Sequence, residues 1–462
     1  MNVLFFGLGR IGLPQSLVFS ESGHKVFGFD SDPSVVDNLL AEKVPFEEPG
    51  MQQLLKKNLG VNFNPVHDWH EILPQVDAVL FTLGTKAPDA FSCLQEKEGD
   101  ISPIENILSE ILSHPGVKKG VLFVFRTTLF LGSTERLKHF VDSKFKLREG
   151  VDFFMSFVPE RLIEGQAISE EQNLPKILSA FTQQGMEKVS ELFHTVGGRQ
   201  IRVSSPTTAE FCKLTDNSFR NTMFAFSNEL AMWSAQRGVD ANEVIAAINA
   251  DYDRNNVPRP GFVSGYCLGK DPYIFEYGFD ASAQGRDFQS LWYYGRLTND
   301  KLISYAINRI SEGLLKTGKS LSRCKVAVLG LAFKEDVDDF RMSHSFNLID
   351  GLVGAGVGSI VGFDPLLAIN KYTRIPSQYV GDSFSWSNML VPSLFADVDA
   401  VLVAHRHEVL RKQDLASLTV LLAQARRPLF IFDGWNVWRP ANSIEGICYE
   451  GLGFKPNKGS LL

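Results

Sequence analysis

Cysteine is scarce and scattered in this sequence. Five cysteines stand at positions 93, 212, 267, 324 and 448 of 462 residues, and no two form a CxxC pair. That spacing offers neither a disulfide framework nor a thiolate zinc site, so no metal is expected. No apolar run approaches the roughly 18 to 20 residues that a membrane-crossing helix needs, which argues against a membrane span. Lysine and arginine form no cluster, and the net charge is -7, so the electrostatic footprint of a nucleic-acid binder is missing. The chain opens on the strand-like NVLFFGLG, leaving no room for a signal peptide, and the cytoplasm is the expected location. Short-period repeats and long low-complexity tracts are also missing.

What is present is the composition of a globular chain, 44% hydrophobic and 21% charged, and long enough for two or three domains. Val3 to Phe6 read as a buried strand that runs into GLGRIGLP. Gly7, Gly9 and Gly12 then have the G-x-G-x-x-G spacing at a strand-to-helix turn. The first glycine allows the turn, the second lets a pyrophosphate approach, and the third lets helix and strand pack closely. A second strand, KVFGFD, ends at Asp30, a carboxylate suited to the free ribose hydroxyls of NAD and repelling the extra phosphate of NADP. An NAD site at this turn is the expectation.

Alternating strand and helix patterns continue. Apolar stretches at 77–85, 121–128 and 152–160 end in small polar or acidic residues, which puts Thr85, Thr128 and Glu160 at carboxyl ends of strands. An open α/β sheet binds ligands there, although turn and cap chemistry would use the same residues. SSPTTAE then starts a long helix, with Ser204, Ser205 and Pro206 as its opening and Glu210 favoured early by the macrodipole. Helical character returns through about Leu315. KVAVLGLAFK opens a second strand–glycine–turn, followed by strands at 359–365, 399–405 and 429–436. Its glycines do not complete G-x-G-x-x-G, so a second dinucleotide is not expected. The fold class is α/β, two Rossmann-like doubly wound domains joined by a long central helix and a helical middle domain. The boundaries expected are 1–205, 206–316 and 317–462.

The stretch from Thr208 to Phe275 carries the candidate chemistry. Lys213 and Asn217 are four apart on one helix face. Phe211, Leu214, Phe219, Met223, Phe226 and Leu230 surround them, so burial on most sides is expected. Downstream, Cys267 sits in a loop of glycines and prolines with Lys270 and Asp271 beside it, a plausible covalent nucleophile. The competing readings are a small buried thiol, and for Lys213 a solvated lysine paired with Glu210.

These motifs, in this order, resemble the UDP-glucose/GDP-mannose dehydrogenase family along essentially the whole chain. GLGRIGLP resembles its cofactor fingerprint, FEEPGM its EPG segment, FRTTLFLGSTERL its STVPPGTTE stretch and VPERLIEGQA its PER…EG substrate loop. AEFCKLTDNSFRNTMFAFSNELA is similar to its catalytic helix and GYCLGKDP to its GGxCxxKD nucleophile loop. GLAFKEDVDDFRMSHS and FDGWN resemble its C-terminal motifs. The PER form is closer to the branch acting on UDP-N-acetylhexosamines than to UDP-glucose dehydrogenases.

The resemblance implies a four-electron oxidation of a sugar C6 alcohol by two NAD in succession, in a homodimer or higher homo-oligomer, for surface polysaccharide. It implies Cys267 as nucleophile, Lys213 and Asn217 at the oxyanion, Asp271 as general base through water, and Thr128 and Glu160 positioning that water. Gly7, Gly9, Arg10, Ile11, Gly12, Asp30, Thr85, Thr128 and Arg341 would meet the cofactor. Arg161, Leu162, Ile163, Glu164, Gly265 and Lys334 would meet the nucleotide sugar, with Arg254 or Arg259 as a further contact. A structural ion pair competes for Lys334 and Arg341, which sit among acidic residues. The sequence departs from the pattern at Ser264, where relatives carry glycine, at Lys86, at Glu164-Gly165 in place of Pro-Gly, and at Trp435, where relatives carry arginine. Three other readings stand beside it: UDP-glucose oxidation, a two-electron alcohol or hydroxyacid dehydrogenase, and a catalytically silent nucleotide-sugar binder.

Overall fold

The computed structural model describes residues 1–84, 100–278 and 289–454. The chain divides into two compact units, Met1–Asp216 with Tyr273–Asp280, and Asn217–Pro272 with Ala281–Leu462.

The first unit is built on a parallel sheet of β1 (Asn2–Phe6), β2 (Lys25–Phe29), β3 (Phe63–Pro65), β4 (Ala78–Phe81), β5 (Val121–Phe125) and β6 (Phe153–Phe157). Their order across the sheet is β3-β2-β1-β4-β5-β6, the doubly wound arrangement whose direction reverses between β1 and β4. Every residue of β4, β5 and β6 is buried, as continuous apolar runs covered on both faces should be. Register aligns Phe6 with Phe81 and Phe81 with Phe125. These rings stack at centroid separations of 5.7 and 5.0 Å, so the phenylalanine-rich strands form a cross-strand ladder. The helices here are α1 (Gly12–Glu21), α2 (Pro33–Leu40), α3 (Met51–Asn58), α4 (Ser102–Ser113), α5 (Ser133–Phe145), α6 (Ala167–Asn173) and α7 (Gln183–His194). A small separate ribbon pairs β7 (Lys176–Leu178) with β8 (Gln200–Arg202).

The long helix α8 spans Pro206–Arg237 and contributes to both units. It is followed by α9 (Ala241–Asn249), α10 (Tyr266–Tyr277) and α11 (Leu291–Lys316). The second unit then repeats the doubly wound plan with β9 (Lys325–Leu329), α12 (His344–Gly354), β10 (Ser359–Phe363), β11 (Phe384–Ser387), β12 (Ala400–Val403), β13 (Leu429–Asp433) and β14 (Ile447–Gly451). Its order, β11-β10-β9-β12-β13-β14, matches that of the first sheet.

The structure corrects two expectations. The strands stop several residues before the apolar runs do, so Thr128, Glu160, His405 and Trp435 stand in loops beyond the strand ends. Nor is α8 buried on most sides: Phe219, Phe226 and Trp233 are 62%, 55% and 67% exposed. Of the six apolar residues expected inside, only Leu214 is fully buried, and beside it the buried face carries Ala209, Glu210, Lys213, Asn217, Asn221, Ala225, Asn228 and Ala231. Small and amide side chains let α11 pack close, and the amides find partners there: Asn299 of α11 bonds Asn221 and Asn228 at 2.8 Å each.

Candidate active site

In the first unit the glycine turn is sterically obligatory. Gly7 has φ +96°, and a Cβ on Gly12 would lie 1.9 Å from the Gly7 carbonyl oxygen. Among the described residues, a Cβ on Gly9 would meet nothing within 4 Å, which leaves room on that side of the turn for a pyrophosphate. No side chain caps the N-terminus of α1 at Ile11. Asp30, partly exposed, accepts Leu8 N–H at 2.8 Å and Asp32 N–H at 2.9 Å, which leaves lone pairs of each oxygen for ribose hydroxyls. Thr82 ties the turn to β4 by donating to the Gly7 carbonyl at 2.8 Å. The residues fit a dinucleotide. Thr85 and Lys86 lie outside the described residues.

Beyond the ends of β5 and β6 stand Thr128, half-buried, and Glu160, buried. Lys213 on α8 is buried and donates to the Glu160 carbonyl oxygen, with its Nζ 3.6 Å from Glu160 Oε2. The alternative partner, Glu210, is turned elsewhere. Its carboxylate accepts Gly132 N–H at 2.6 Å and Thr134 N–H at 2.8 Å, so it caps α5 rather than serving its own helix. Burial raises the Glu210 carboxyl above the usual range against these hydrogen bonds.

The 161–167 segment is held by carboxylates. Glu160 accepts Leu162 N–H, Glu170 accepts Ile163 N–H at 2.7 Å, and Glu48 accepts both Gly165 N–H and Ala167 N–H at 2.8 Å. Arg161 donates to the Pro175 carbonyl at 2.7 Å, and Glu164 pairs with Arg10 of the glycine turn at 3.3 Å. The Leu162 and Ile163 amides are thus engaged within the chain. Behind it the buried Arg126 makes a bidentate pair with Glu171 of α6, at 2.7 and 3.1 Å.

In the second unit Cys267 lies in the first turn of α10, exposed, rather than in a loop. Gly265 makes the tight entry: its φ is +91°, and a Cβ there would lie 2.5 Å from the Phe333 ring. Asp271, fully buried, has both oxygens engaged, by Lys270 Nζ at 2.6 Å and by Asn217 Nδ2 at 2.5 Å. Arg220 donates to the Asn217 carbonyl oxygen, fixing the amide so that its NH2 faces Asp271. Ser264, a departure in the sequence pattern, donates to the Phe333 carbonyl at 2.6 Å and so ties the entry of α10 to the segment carrying Lys334.

Lys334 is half-buried in that segment, whereas Arg341 is exposed. The Arg341 guanidinium is paired with Asp339 at 2.5 Å and stacked 4.4 Å over Tyr372. Arg254 and Arg259 are both exposed, and Arg254 lies over Tyr252. Trp435 donates to the Ala404 carbonyl at 2.8 Å and lays its ring against Gly261, two residues from Arg259.

Sequence reasoning missed the supports. Arg296 on α11 is almost fully buried and reaches the carbonyls of Val263 and Leu268, on either side of Cys267, at 3.4 and 3.3 Å. Its signal was a charged residue within the apolar stripe of LWYYGRLTND. The second sheet also carries an unforeseen buried cluster. Asp364, at the position matching Asp30, accepts Leu331 N–H and Ala332 N–H at 2.8 and 2.9 Å and lies 3.1 Å from His407 Nε2. Burial pushes the neighbouring His405 down to about 3, keeping it neutral. Among the described residues no group of histidine, cysteine and carboxylate side chains could hold a metal, and no helix is long and apolar enough to cross a membrane.

A doubly wound first unit with an open glycine turn and a carboxylate at the end of β2 defines a dinucleotide-dependent enzyme. Sequence profiles of the UDP-glucose/GDP-mannose dehydrogenase family match the chain three times, as NAD binding domain over residues 1–197, central domain over 207–300 and UDP binding domain over 327–440. The UDP-N-acetyl-D-mannosamine dehydrogenase of Pyrococcus horikoshii is 27% identical over 454 residues, covering 98% of this chain and 99% of that protein. The enzyme of that name from Escherichia coli K12 is 29% identical over 455 residues, covering 95% and 99%. The solved structure of the Pyrococcus horikoshii UDP-D-ManNAc dehydrogenase superposes with a TM-score of 0.82 at 26% identity, over 98% of this chain and 99% of that one. This chain belongs to the UDP-glucose/GDP-mannose dehydrogenase family, and it is an NAD-dependent nucleotide-sugar dehydrogenase.

Proposed function

We propose that this enzyme oxidises C6 of a UDP-N-acetylhexosamine to the carboxylate through a covalent bond to Cys267. The observation that carries the reading is an exposed thiol in the first turn of α10, four residues before an Asp271 clamped by Lys270 and Asn217. A helix N-terminus favours an anion such as a thiolate. The names of the relatives favour an N-acetylated sugar, and the PER form of the loop agrees.

When bound, NAD supplies a hydride acceptor for each of the two oxidations. The C6 alcohol loses a hydride and a proton to become an aldehyde, and Cys267 Sγ adds to C6 to give a thiohemiacetal. Loss of a second hydride and proton leaves a thioester, and water releases the carboxylate and restores the thiol. Family likeness assigns Lys213 and Asn217 to the oxyanion. Thr128 and Glu160 position the hydrolytic water, and Asp271 acts on it as a base only after giving up one of its two donors. Lys334 and the 161–167 segment bind the nucleotide sugar, in a cytoplasmic reaction that feeds surface polysaccharide.

NADH absorbance with UDP-N-acetylmannosamine, UDP-N-acetylglucosamine, UDP-N-acetylgalactosamine, UDP-glucose and GDP-mannose tests the reading. One UDP-N-acetylhexosamine should yield two NADH per uronic acid. A preference for UDP-glucose, or one NADH per product, rejects it. Trp435 favours a second outcome, a silent binder, because it places an uncharged ring where relatives carry arginine. Binding of a nucleotide sugar with no oxidation of any would establish that instead.

Phe219, Phe226 and Trp233 recur every seven residues along α8 and share one exposed face. Three large aromatics on one helix face suit a second copy of the chain, so we assign this face to a homodimer. The double variant Phe219→Glu/Phe226→Glu should sediment as a monomer at concentrations where wild type is a dimer. Unchanged sedimentation would place the interface elsewhere.

A further inference from the structure

We propose that the Arg10–Glu164 ion pair makes the charge offered to the dinucleotide depend on the position of the substrate loop. The proposal rests on the functional reading above. Arg10 stands between Gly9 and Ile11 in the glycine turn, beside the open side where a pyrophosphate approaches. Its guanidinium lies 4.7 Å from the centre of the Phe46 ring and 3.3 Å from Glu164 Oε2. The side chains are only 6% and 19% exposed, so water and salt screen the pair far less than a surface pair.

Glu164 is not an isolated carboxylate. The amides of Leu162, Ile163, Gly165 and Ala167 are all held by Glu160, Glu170 and Glu48, so residues 162 to 167 are braced as one piece. Glu48 and Phe46 belong to the same FEEPG segment, which therefore supports Arg10 and the loop together. While that piece keeps its place, the Glu164 carboxylate stays within reach of Arg10.

Two consequences follow from Coulomb's law. With the loop in place, part of the Arg10 charge is spent on Glu164 and less is available to a pyrophosphate. A bound pyrophosphate, in turn, draws on Arg10 and repels Glu164, loosening the loop. The same arginine thus serves both ligands, and Glu164 sets how its charge is divided.

Isothermal titration with NADH and, separately, with UDP-N-acetyl-D-mannosamine tests the proposal without turnover. Glu164→Gln should bind NADH about three- to tenfold more tightly and the sugar nucleotide more weakly by a similar factor. Arg10→Gln should weaken NADH binding, and in the double variant Arg10→Gln/Glu164→Gln the gain for NADH should vanish. A merely structural role for the pair would weaken both ligands in every variant. Unchanged or weaker NADH binding in Glu164→Gln, or a gain that survives in the double variant, overturns the proposal. Glu164→Ala should show the same gain, so loss of fold in one variant does not decide the matter. If wild type binds neither ligand, the functional reading fails rather than the coupling.

Discussion

Cys267→Ser should abolish steady-state formation of uronic acid, lowering kcat by about 10³-fold or more. The hydroxyl keeps the size of the thiol, so α10 and its entry at Gly265 have no reason to move. What is lost is the nucleophile: a serine hydroxyl ionises far less readily than a thiol. Rapid mixing with a UDP-N-acetylhexosamine should then show at most one NADH per active site, because the first oxidation does not use the sulfur. Nucleotide-sugar affinity should stay within about threefold of wild type, since on the proposed chemistry Cys267 forms its bond only after an aldehyde exists. Turnover at the wild-type rate would refute the thioester route.

The second large effect is expected at Lys213. Lys213→Met keeps the length of the buried side chain and removes its charge, and kcat should fall by about 10²- to 10³-fold. That loss corresponds to roughly 3 to 4 kcal/mol of barrier, the usual worth of one fixed donor aimed at a developing oxyanion. Its fixing is visible in the donation from Nζ to the Glu160 carbonyl oxygen, with Oε2 of the same residue 3.6 Å away. KM for the nucleotide sugar should move little if the charge acts in the transition state alone. An effect confined to KM would make Lys213 a binding group and take it out of the chemistry.

Much of this architecture was legible because parallel strands buried on both faces leave long apolar runs, as in VLFVF and LFIFD. β14 (ICYEG), with a glutamate in a five-residue edge strand, did not show, and neither did β3, β7, β8 and β11. The last four are three or four residues long and carry polar residues or proline, as edge and ribbon strands tolerate. The glycine turn was readable because part of its steric demand is local: a Cβ on Gly12 would strike the Gly7 carbonyl, and Gly7 itself has a positive φ.

The candidate site was legible in its motifs and illegible in its supports. A run of motifs can suggest that Cys267 and Asp271 belong together, but the reach of Arg296 across more than 25 positions to Val263 and Leu268 is a product of packing. The orientation of α8 misled for a related reason. Hydrophobicity points Phe219 and Phe226 inward, yet the amides of Asn221 and Asn228 find their hydrogen bonds on the other face, and buried amides outweigh a stripe of aromatics that another surface can cover.

The two sheets share one strand order, and their matching aspartates differ in a way that bears on the timing of the reaction. Asp30 is partly exposed beside an open turn. Asp364 is fully buried, with its oxygens given to Leu331, Ala332, Leu366 and His407. Among the described residues there is thus one berth for a carrier and, on the proposed chemistry, two hydrides to remove. The spent carrier must leave and a fresh one arrive while the half-oxidised sugar waits. A free aldehyde would be at risk of escape during that exchange, and the bond to Cys267 is the tether that prevents it.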